Sequence, residues 1–456
     1  MKVIYLILVG TLLWSFIAAM LRLRRHYSGL APILGWFLGL AFFILAPLTL
    51  MVLNGGYQMP AFLDVNDSYA RVSFAQLGYL KPFLVIWISL FASFGAVILF
   101  TPQSDTELKR FERVFSQPMV RRVVLVTAGL AFIDYLLKIW MLGGVTDFFL
   151  SNWYDRQGDL VGRLGDPYVF YAWLSQANQL IFTAAGVLYT YCELKGRKTN
   201  WRFSLLVLLL FMVQIIMTGN RIFFALYLLS FGLSCWLLRR MKLVAFLLAL
   251  APALILVFSA WASFRSNLSQ VGENIPGYFD NDLGNPTVTS LMSAFEGNDT
   301  LLLLHVINDF GSKYRFMYGA SYLRAFVFWV PRKFYPDKPL GFSSQMAALY
   351  EPGVNTSLAT TQLGELFANF GLFSVALLPI LTICILRLSD KFAVDTNNRP
   401  LLVVVVFLLS IWVTRSAFDD ALVTFVFVFP LLRVLRLERG LSRRTPVVRT
   451  AGYESA

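Results

Sequence analysis

Charged residues are scarce in this chain. They make up 14% of its 456 residues, whereas a soluble chain carries about 25%. Hydrophobic residues reach 57%, and the mean hydropathy is +0.65. These values exclude an ordinary soluble globular protein and indicate an integral membrane protein that crosses the bilayer several times.

Cysteine and histidine are also rare. The three cysteines, Cys192, Cys235 and Cys384, all fall in apolar segments, so the sequence supports neither a disulfide framework nor a thiolate metal site. The two histidines, His26 and His305, do not supply the ligand set of a zinc site. Nothing in the sequence calls for a metal or any other cofactor, and we expect none.

The sequence lacks the local signatures of nucleotide binding. It contains neither a GxxxxGKS/T loop nor a GxGxxG turn after a predicted strand, which argues against an ATP-driven pump and against an enzyme that uses nucleotide sugars in the cytoplasm. The net charge of +13 does not indicate a nucleic-acid partner either. The basic residues concentrate in short loops on one side of the predicted spans, which is a topology signal.

Apolar runs of membrane-spanning length recur along the whole chain. A membrane helix needs about 20 mostly apolar residues, and eleven runs approach that length. They cover residues 3–20, 30–53, 83–101, 123–143, 168–194, 203–218, 222–238, 243–262, 364–388, 401–414 and 421–435. The sequence therefore predicts an all-α integral membrane protein with about eleven transmembrane helices.

Basic residues fall mainly in alternate loops between these spans. Examples are Arg22, Arg24 and Arg25; Lys195, Arg197 and Lys198; and Arg239, Arg240 and Lys242. Because cytoplasmic loops are enriched in lysine and arginine, we place these loops and the C-terminus in the cytoplasm. The long loop at 263–363 then faces outward, and an odd number of spans puts the N-terminus outside as well.

The predicted spans divide the chain into three regions. Residues 1–262 contain eight transmembrane helices, residues 263–363 form the large outer loop, and residues 364–456 contain three more helices and a basic tail. The loop includes two apolar pieces, 301–307 and 322–330, that are too short to cross a bilayer. We expect them to form short helices that lie in the membrane interface or re-enter against protein.

Five basic residues lie where the predicted spans or the loop meet the outer face. Arg221 occupies a very short connection between two spans, Arg415 lies on a tight outer turn, and Arg332, Lys333 and Lys338 follow an aromatic run. Arginine binds phosphate bidentately, so these residues are candidates for holding an anionic group. The alternative is that they anchor the spans or contact anionic lipid headgroups.

Acidic residues and one histidine near the same face are candidate general bases. Glu365 opens the ninth predicted span, where we expect partial burial, and Asp419 and His305 are further candidates, as are Asp309 and Asp420. Glu365 has a plainer alternative as a carboxylate at a helix N-terminus, stabilised by the helix dipole. His305 has one as a packed side chain in an apolar stretch.

Four short stretches together carry a resemblance to a known family. They are GNR at 219–221, VPRKFYPDKP at 330–339, QLGELFANFG at 362–371 and TRSAFDD at 414–420. In this order, on this predicted topology, the chain resembles the bacterial O-antigen polymerases, the Wzy-type oligosaccharide repeat-unit polymerases. The resemblance covers most of the chain as architecture but only these stretches as sequence. The family often has a tryptophan after VPR, where this chain has Phe-Tyr.

The resemblance implies a GT-C-type glycosyltransferase in the bacterial inner membrane, with the large loop in the periplasm. Its donor would be a growing glycan on undecaprenyl diphosphate, and its acceptor a single repeat unit on the same carrier. The family usually works with a chain-length-regulating partner. A diphosphate leaving group needs cations, so we expect Arg221, Arg332 and Arg415, supported by Lys333 and Lys338, to bind it.

Two other functions stay open at this point. The related O-antigen ligase moves finished glycan to a lipid A core, and members of that type are expected to carry a loop histidine, a role for which His305 is available. A transporter or flippase would need charged groups at mid-membrane, and the clearest candidates for that position are Asp134 and Lys138. The polar residues concentrate in one outer loop instead, which favours an enzyme.

Overall fold

The computed structural model describes most of the chain. The described residues are 2–27, 29–58, 71–74, 77–101, 117–145, 148, 166–196, 200–218, 222–238, 292, 297–330, 333–335, 337–350, 358–395 and 399–434. The predicted span at 243–262, the first part of the large loop and the C-terminal tail lie outside them. Two of the predicted anion-binding residues, Arg221 and Arg332, also lie outside them.

Helices dominate the described residues. They are α1 (Lys2–His26), α2 (Pro32–Leu40), α3 (Ala46–Asn54), α4 (Leu80–Phe100), α5 (Gln117–Met141), α6 (Asp166–Gly196), α7 (Trp201–Thr218), α8 (Ile222–Leu237), α9 (Gly297–Asp309), α10 (Ala320–Val327), α11 (Phe342–Tyr350), α12 (Thr361–Phe370), α13 (Ser374–Asp395), α14 (Pro400–Arg415) and α15 (Phe418–Val434). A π-helical turn, Ala41–Leu45, joins α2 to α3. In the same residues, the only named strands are β1 (Gly56–Gln58) and β2 (Arg71–Ser73), which pair antiparallel.

Six stretches of the described helices are long and apolar enough to cross a membrane. They are α1, the continuous helix Pro32–Asn54, α4, α5, α7 and the stretch Thr361–Phe392. The shorter helices α8 and α14 are also apolar. The prediction of an all-α membrane protein is therefore confirmed. The predicted spans within the described residues lie on helices, although the ninth is divided between α12 and α13, and the span at 243–262 lies outside the described residues.

The helix predicted for the ninth span is interrupted in the structure. It is not one uninterrupted helix, because α12 ends at Phe370 and a 3₁₀ turn, Gly371–Phe373, precedes α13. Gly371 has a φ of 57° and a ψ of −135°, a conformation that a residue with a Cβ atom rarely adopts. The break separates the buried helix α12 from α13, and α12 carries part of the candidate site.

The two short apolar pieces of the large loop behave differently. The first forms α9, whose leucines are buried against α12, α4 and α3. The second forms α10, which exposes Leu323, Phe326 and, just after the helix, Trp329, and buries Ser321 and Ala325. The expectation of short helices in this loop is correct, and the first of them is packed inside the protein.

Two glycines allow α2 and α14 to approach closely. A Cβ atom added at Gly35 would lie 2.3 Å from the backbone oxygen of Phe407, and one added at Gly39 would lie 2.0 Å from Oγ1 of Thr414. Gly35 and Gly39 are four residues apart and therefore lie on one face of α2. Small residues in such positions let membrane helices pack backbone to backbone.

Gly35→Ala should therefore destabilise the protein. The added methyl group meets a main-chain oxygen that no side-chain rotation can move, and overpacking of this kind costs about 1–3 kcal/mol. Thermal unfolding in detergent measures the effect. Gly95→Ala in α4 is the matched control, because nothing lies within 4 Å of its added Cβ. Equal melting temperatures for the two variants would contradict close packing of α2 on α14.

Candidate functional site

The helices α10, α12 and α15 meet in a polar junction. Its charged and hydrogen-bonding side chains are Ser321 and Arg324 on α10, Glu365 and Asn369 on α12, and Asp419 in the first turn of α15. All of them except Arg324 are buried. Buried polar groups are costly without partners, and each of these side chains has at least one hydrogen-bond partner.

Glu365 is completely buried, at 0% exposure. Its Oε1 accepts a hydrogen bond from the Ser321 hydroxyl at 2.6 Å, and its Oε2 accepts one from the backbone N–H of Phe418 at 2.7 Å. The burial is thus complete, where the sequence led us to expect partial burial. Because the two oxygens bind different elements, this carboxyl group connects α12 to both α10 and the start of α15.

Asn369 extends this network by one turn of α12. Its Nδ2 donates to Oγ of Ser321 and to the backbone oxygen of Glu365, both at 2.8 Å. Its Oδ1 accepts from the backbone N–H of Gly319 at 2.9 Å. Sequence reasoning missed Asn369 and Ser321. The spacing of Glu365 and Asn369, four apart on one helix face, was the available signal for the first of them.

Asp419 forms an ion pair with Arg324. Nη1 of Arg324 donates to Oδ2 of Asp419 at 2.6 Å, and the two side chains are 22% and 3% exposed. Oδ1 of Asp419 and Nε of Arg324 are both buried and have no hydrogen-bond partner among the described residues. Asp419 therefore has one oxygen fixed by a charge-assisted hydrogen bond and one buried oxygen that accepts no hydrogen bond from a described side chain.

Aromatic rings cover one side of the junction. The ring of Tyr322 stacks on Phe370 with centroids 5.9 Å apart and packs on Phe418 at 5.5 Å. Its hydroxyl accepts a hydrogen bond from Nε2 of Gln362 at 3.1 Å. Burial, and secondly the charge of Glu365, raise the pKa of Tyr322 above its usual range. The phenol therefore stays neutral at physiological pH and serves as a hydrogen-bonding group.

Arg415 is fixed by a second ion pair. Its Nε donates to Oδ2 of Asp299, in the first turn of α9, at 3.0 Å. A quarter of the arginine side chain is exposed. The pair connects the end of α14 to α9, and it holds the guanidinium in a defined orientation at the surface.

The other described candidates lie in different surroundings. Nζ of Lys338 donates to the backbone oxygens of Phe328 and Val330, at 2.6 and 3.0 Å, and these bonds stabilise the backbone that follows α10. Lys333 is exposed. His305 is buried in α9, where its ring makes an edge-on contact with Tyr79 at 5.7 Å. The structure thus brings Glu365 and Asp419 into one junction, and binds Lys338 and Arg415 to other partners.

The fold and the junction define a helical membrane protein with a buried, ionisable polar site formed by three of its helices. No protein-family model, no curated protein and no solved structure matches this chain. The assignment of a function therefore depends on the chemistry of the residues themselves and on the resemblance described above.

Proposed function

We propose that this protein is a glycosyltransferase that polymerises lipid-linked oligosaccharide repeat units. One observation supports this most strongly: two of the four stretches that carry the family resemblance, 362–371 and 414–420, contact each other directly. Glu365 of the first accepts a hydrogen bond from Phe418 of the second. Stretches that are distant in sequence but share one buried polar junction are expected of a site rather than of unrelated loops.

In this proposal the protein has eleven spans in the bacterial inner membrane, a periplasmic large loop and a cytoplasmic C-terminus. The distribution of lysine and arginine over the loops supports that orientation. Donor and acceptor are both glycans on undecaprenyl diphosphate, and the growing glycan moves to the acceptor sugar. Membrane lipids surround the spans, and a chain-length-regulating protein is an expected partner. No nucleic acid is involved.

The basic residues must stabilise the negative charge that develops on the leaving group. Undecaprenyl diphosphate gains negative charge as the glycosidic bond breaks, and preorganised cations lower that barrier. We assign this role to Arg221, Arg332 and Arg415, with Lys333 and Lys338 in support. Arg415 fits the requirement for preorganisation, because Asp299 fixes its guanidinium.

The acceptor hydroxyl must lose its proton as the new glycosidic bond forms. Candidate bases are Glu365, Asp419 and His305. A base must come within hydrogen-bonding distance of that proton, although resting structures often show the groups covered or poorly aligned. Glu365 and Asp419 share the polar junction, whereas His305 lies on α9.

Arg332→Ala and Arg415→Ala should shorten the surface glycan in a strain that lacks the native gene. Loss of one preorganised charge contact to the leaving group costs about 10²–10³-fold in rate, so the gel should show core plus one repeat in place of a ladder. Lys313→Ala is the matched control, because Lys313 is an exposed cation between α9 and α10. A near-normal ladder from both arginine variants, at wild-type protein levels, would remove the diphosphate-binding model.

A further inference from the structure

The carboxyl groups of Glu365 and Asp419 differ in how many of their oxygens already accept a hydrogen bond from another residue. Both oxygens of Glu365 already receive hydrogen bonds, from Ser321 and from the backbone of Phe418. Asp419 uses Oδ2 for Arg324. Its Oδ1 makes no hydrogen bond of standard geometry to the described residues, although the backbone N–H groups of Asp419 and Asp420 also favour the charged carboxylate. A carboxylate with one oxygen fixed and one oxygen available is oriented to accept a proton from a single direction.

Arg324 is the residue that imposes this orientation. Its guanidinium lies in a space that exists only because residue 341 has no side chain: a Cβ atom added at Gly341 would lie 2.0 Å from Nη1 and 3.0 Å from Cζ of Arg324. The arginine is therefore confined between Gly341 and Asp419. Burial and the charge of Asp419 raise the pKa of the neighbouring Asp420, and the charge of Arg324 opposes that shift.

We propose that Arg324 is a positioning residue that orients Asp419, so that Oδ1 of Asp419 takes the proton of the acceptor hydroxyl. This inference rests on the proposed function. In the step, the acceptor oxygen forms a bond to the anomeric carbon of the donor glycan. The bond from that carbon to the diphosphate oxygen breaks, its electron pair leaves with undecaprenyl diphosphate, and the proton passes to Asp419.

Access to Asp419 depends on the same arginine. Asp419 is covered in the present conformation, whereas Arg324 is partly exposed and lies on α10. A displacement of α10 that admits the acceptor therefore also changes the distance between Arg324 and Asp419.

The test is a pH profile of polymer formation by the full-length protein in lipid nanodiscs, supplied with lipid-linked repeat units. Removing a cation beside a carboxylate favours the protonated form, so Arg324→Gln should move the acidic limb of the profile to higher pH. For a shift of one pH unit, the rate on that limb falls about tenfold at a given pH. Arg324→Lys should restore most of the wild-type profile, since it keeps the charge.

Two further variants separate positioning from a loss of folding. Gly341→Ala displaces the guanidinium without changing any charge and should move the profile in the same direction by a smaller amount. Lys313→Gln removes an exposed cation elsewhere on the loop and should leave the profile in place. If Arg324→Gln does not fold, Arg324→Lys and Gly341→Ala carry the test.

The outcomes are distinct for the two proposals. An equal loss of rate at every pH in all the folded variants of Arg324 and Gly341 would assign the ion pair a purely structural role and overturn the inference, while leaving the polymerase proposal intact. Wild-type protein that makes no polymer at any pH would overturn the proposed function, and with it the role of Arg324 in that reaction.

Discussion

Asp419→Asn should abolish long surface glycans. The amide that replaces the carboxylate is not basic, so it cannot take the proton of the acceptor hydroxyl, and general base catalysis of this kind contributes about 10²–10⁴-fold in rate. The change keeps the size of the side chain and leaves an oxygen that can still accept from Nη1 of Arg324. We expect a rate reduced by at least about two orders of magnitude, measured with lipid-linked repeat units in nanodiscs.

Asp337→Asn is the matched control for that variant. Asp337 is an exposed carboxylate in the large loop, and its loss changes the net charge of the protein equally without touching the junction. Its rate should equal that of the wild type. An Asp419→Asn protein that is folded and retains more than about a tenth of the wild-type rate would exclude Asp419 as the base, since general bases contribute more than that.

Glu365→Ala should be among the most destabilising single substitutions in the described part of the chain. It removes the two hydrogen bonds of the Glu365 carboxyl group, one to α10 and one to α15, leaves the partly buried N–H of Phe418 without its acceptor, and creates a cavity. Unpaired buried groups cost about 1–3 kcal/mol each, and a large-to-small change in a core costs about 2–5 kcal/mol. The melting temperature in detergent should fall by several degrees.

A double-mutant cycle identifies the source of that loss. Ser321→Ala removes one donor to Glu365, and combined with Glu365→Ala it should cost less than the sum of the two single changes, because contacting residues couple by about 0.5–3 kcal/mol. Phe326→Ala on the exposed face of α10 is the control. Its loss of stability should simply add to that of Glu365→Ala. Strict additivity for Ser321 and Glu365 would show that the hydrogen bond between them contributes no stability.

The sequence predicts an all-α membrane protein correctly, because a run of about 20 apolar residues has few other stable environments. It does not predict the interruption at Gly371, since a glycine inside an apolar run is equally compatible with a continuous helix. The sequence of α9 is too short to cross a bilayer, and it was compatible both with a helix in the membrane interface and with a helix packed against protein. The structure shows the second.

The site was predicted in part. Glu365 and Asp419 were both candidates, whereas the pairing of Arg324 with Asp419 was not predicted, because the two residues lie 95 positions apart in the sequence. Ser321 was missed for a similar reason, since a serine has no distinctive spacing until α10 and α12 are in contact. Asn369 was missed although its spacing of four from Glu365 was visible in the sequence. The roles of all these residues in catalysis stay predictions.

The surface glycan profile of a strain that lacks this gene tests the central claim most directly. We predict that wild-type protein restores a ladder of many repeats, and that without it the gel shows core carrying a single repeat. A complete absence of core-linked glycan in the deletion strain would support the ligase alternative instead. A ladder that the deletion leaves unchanged would contradict the proposal that this protein polymerises O-antigen repeat units.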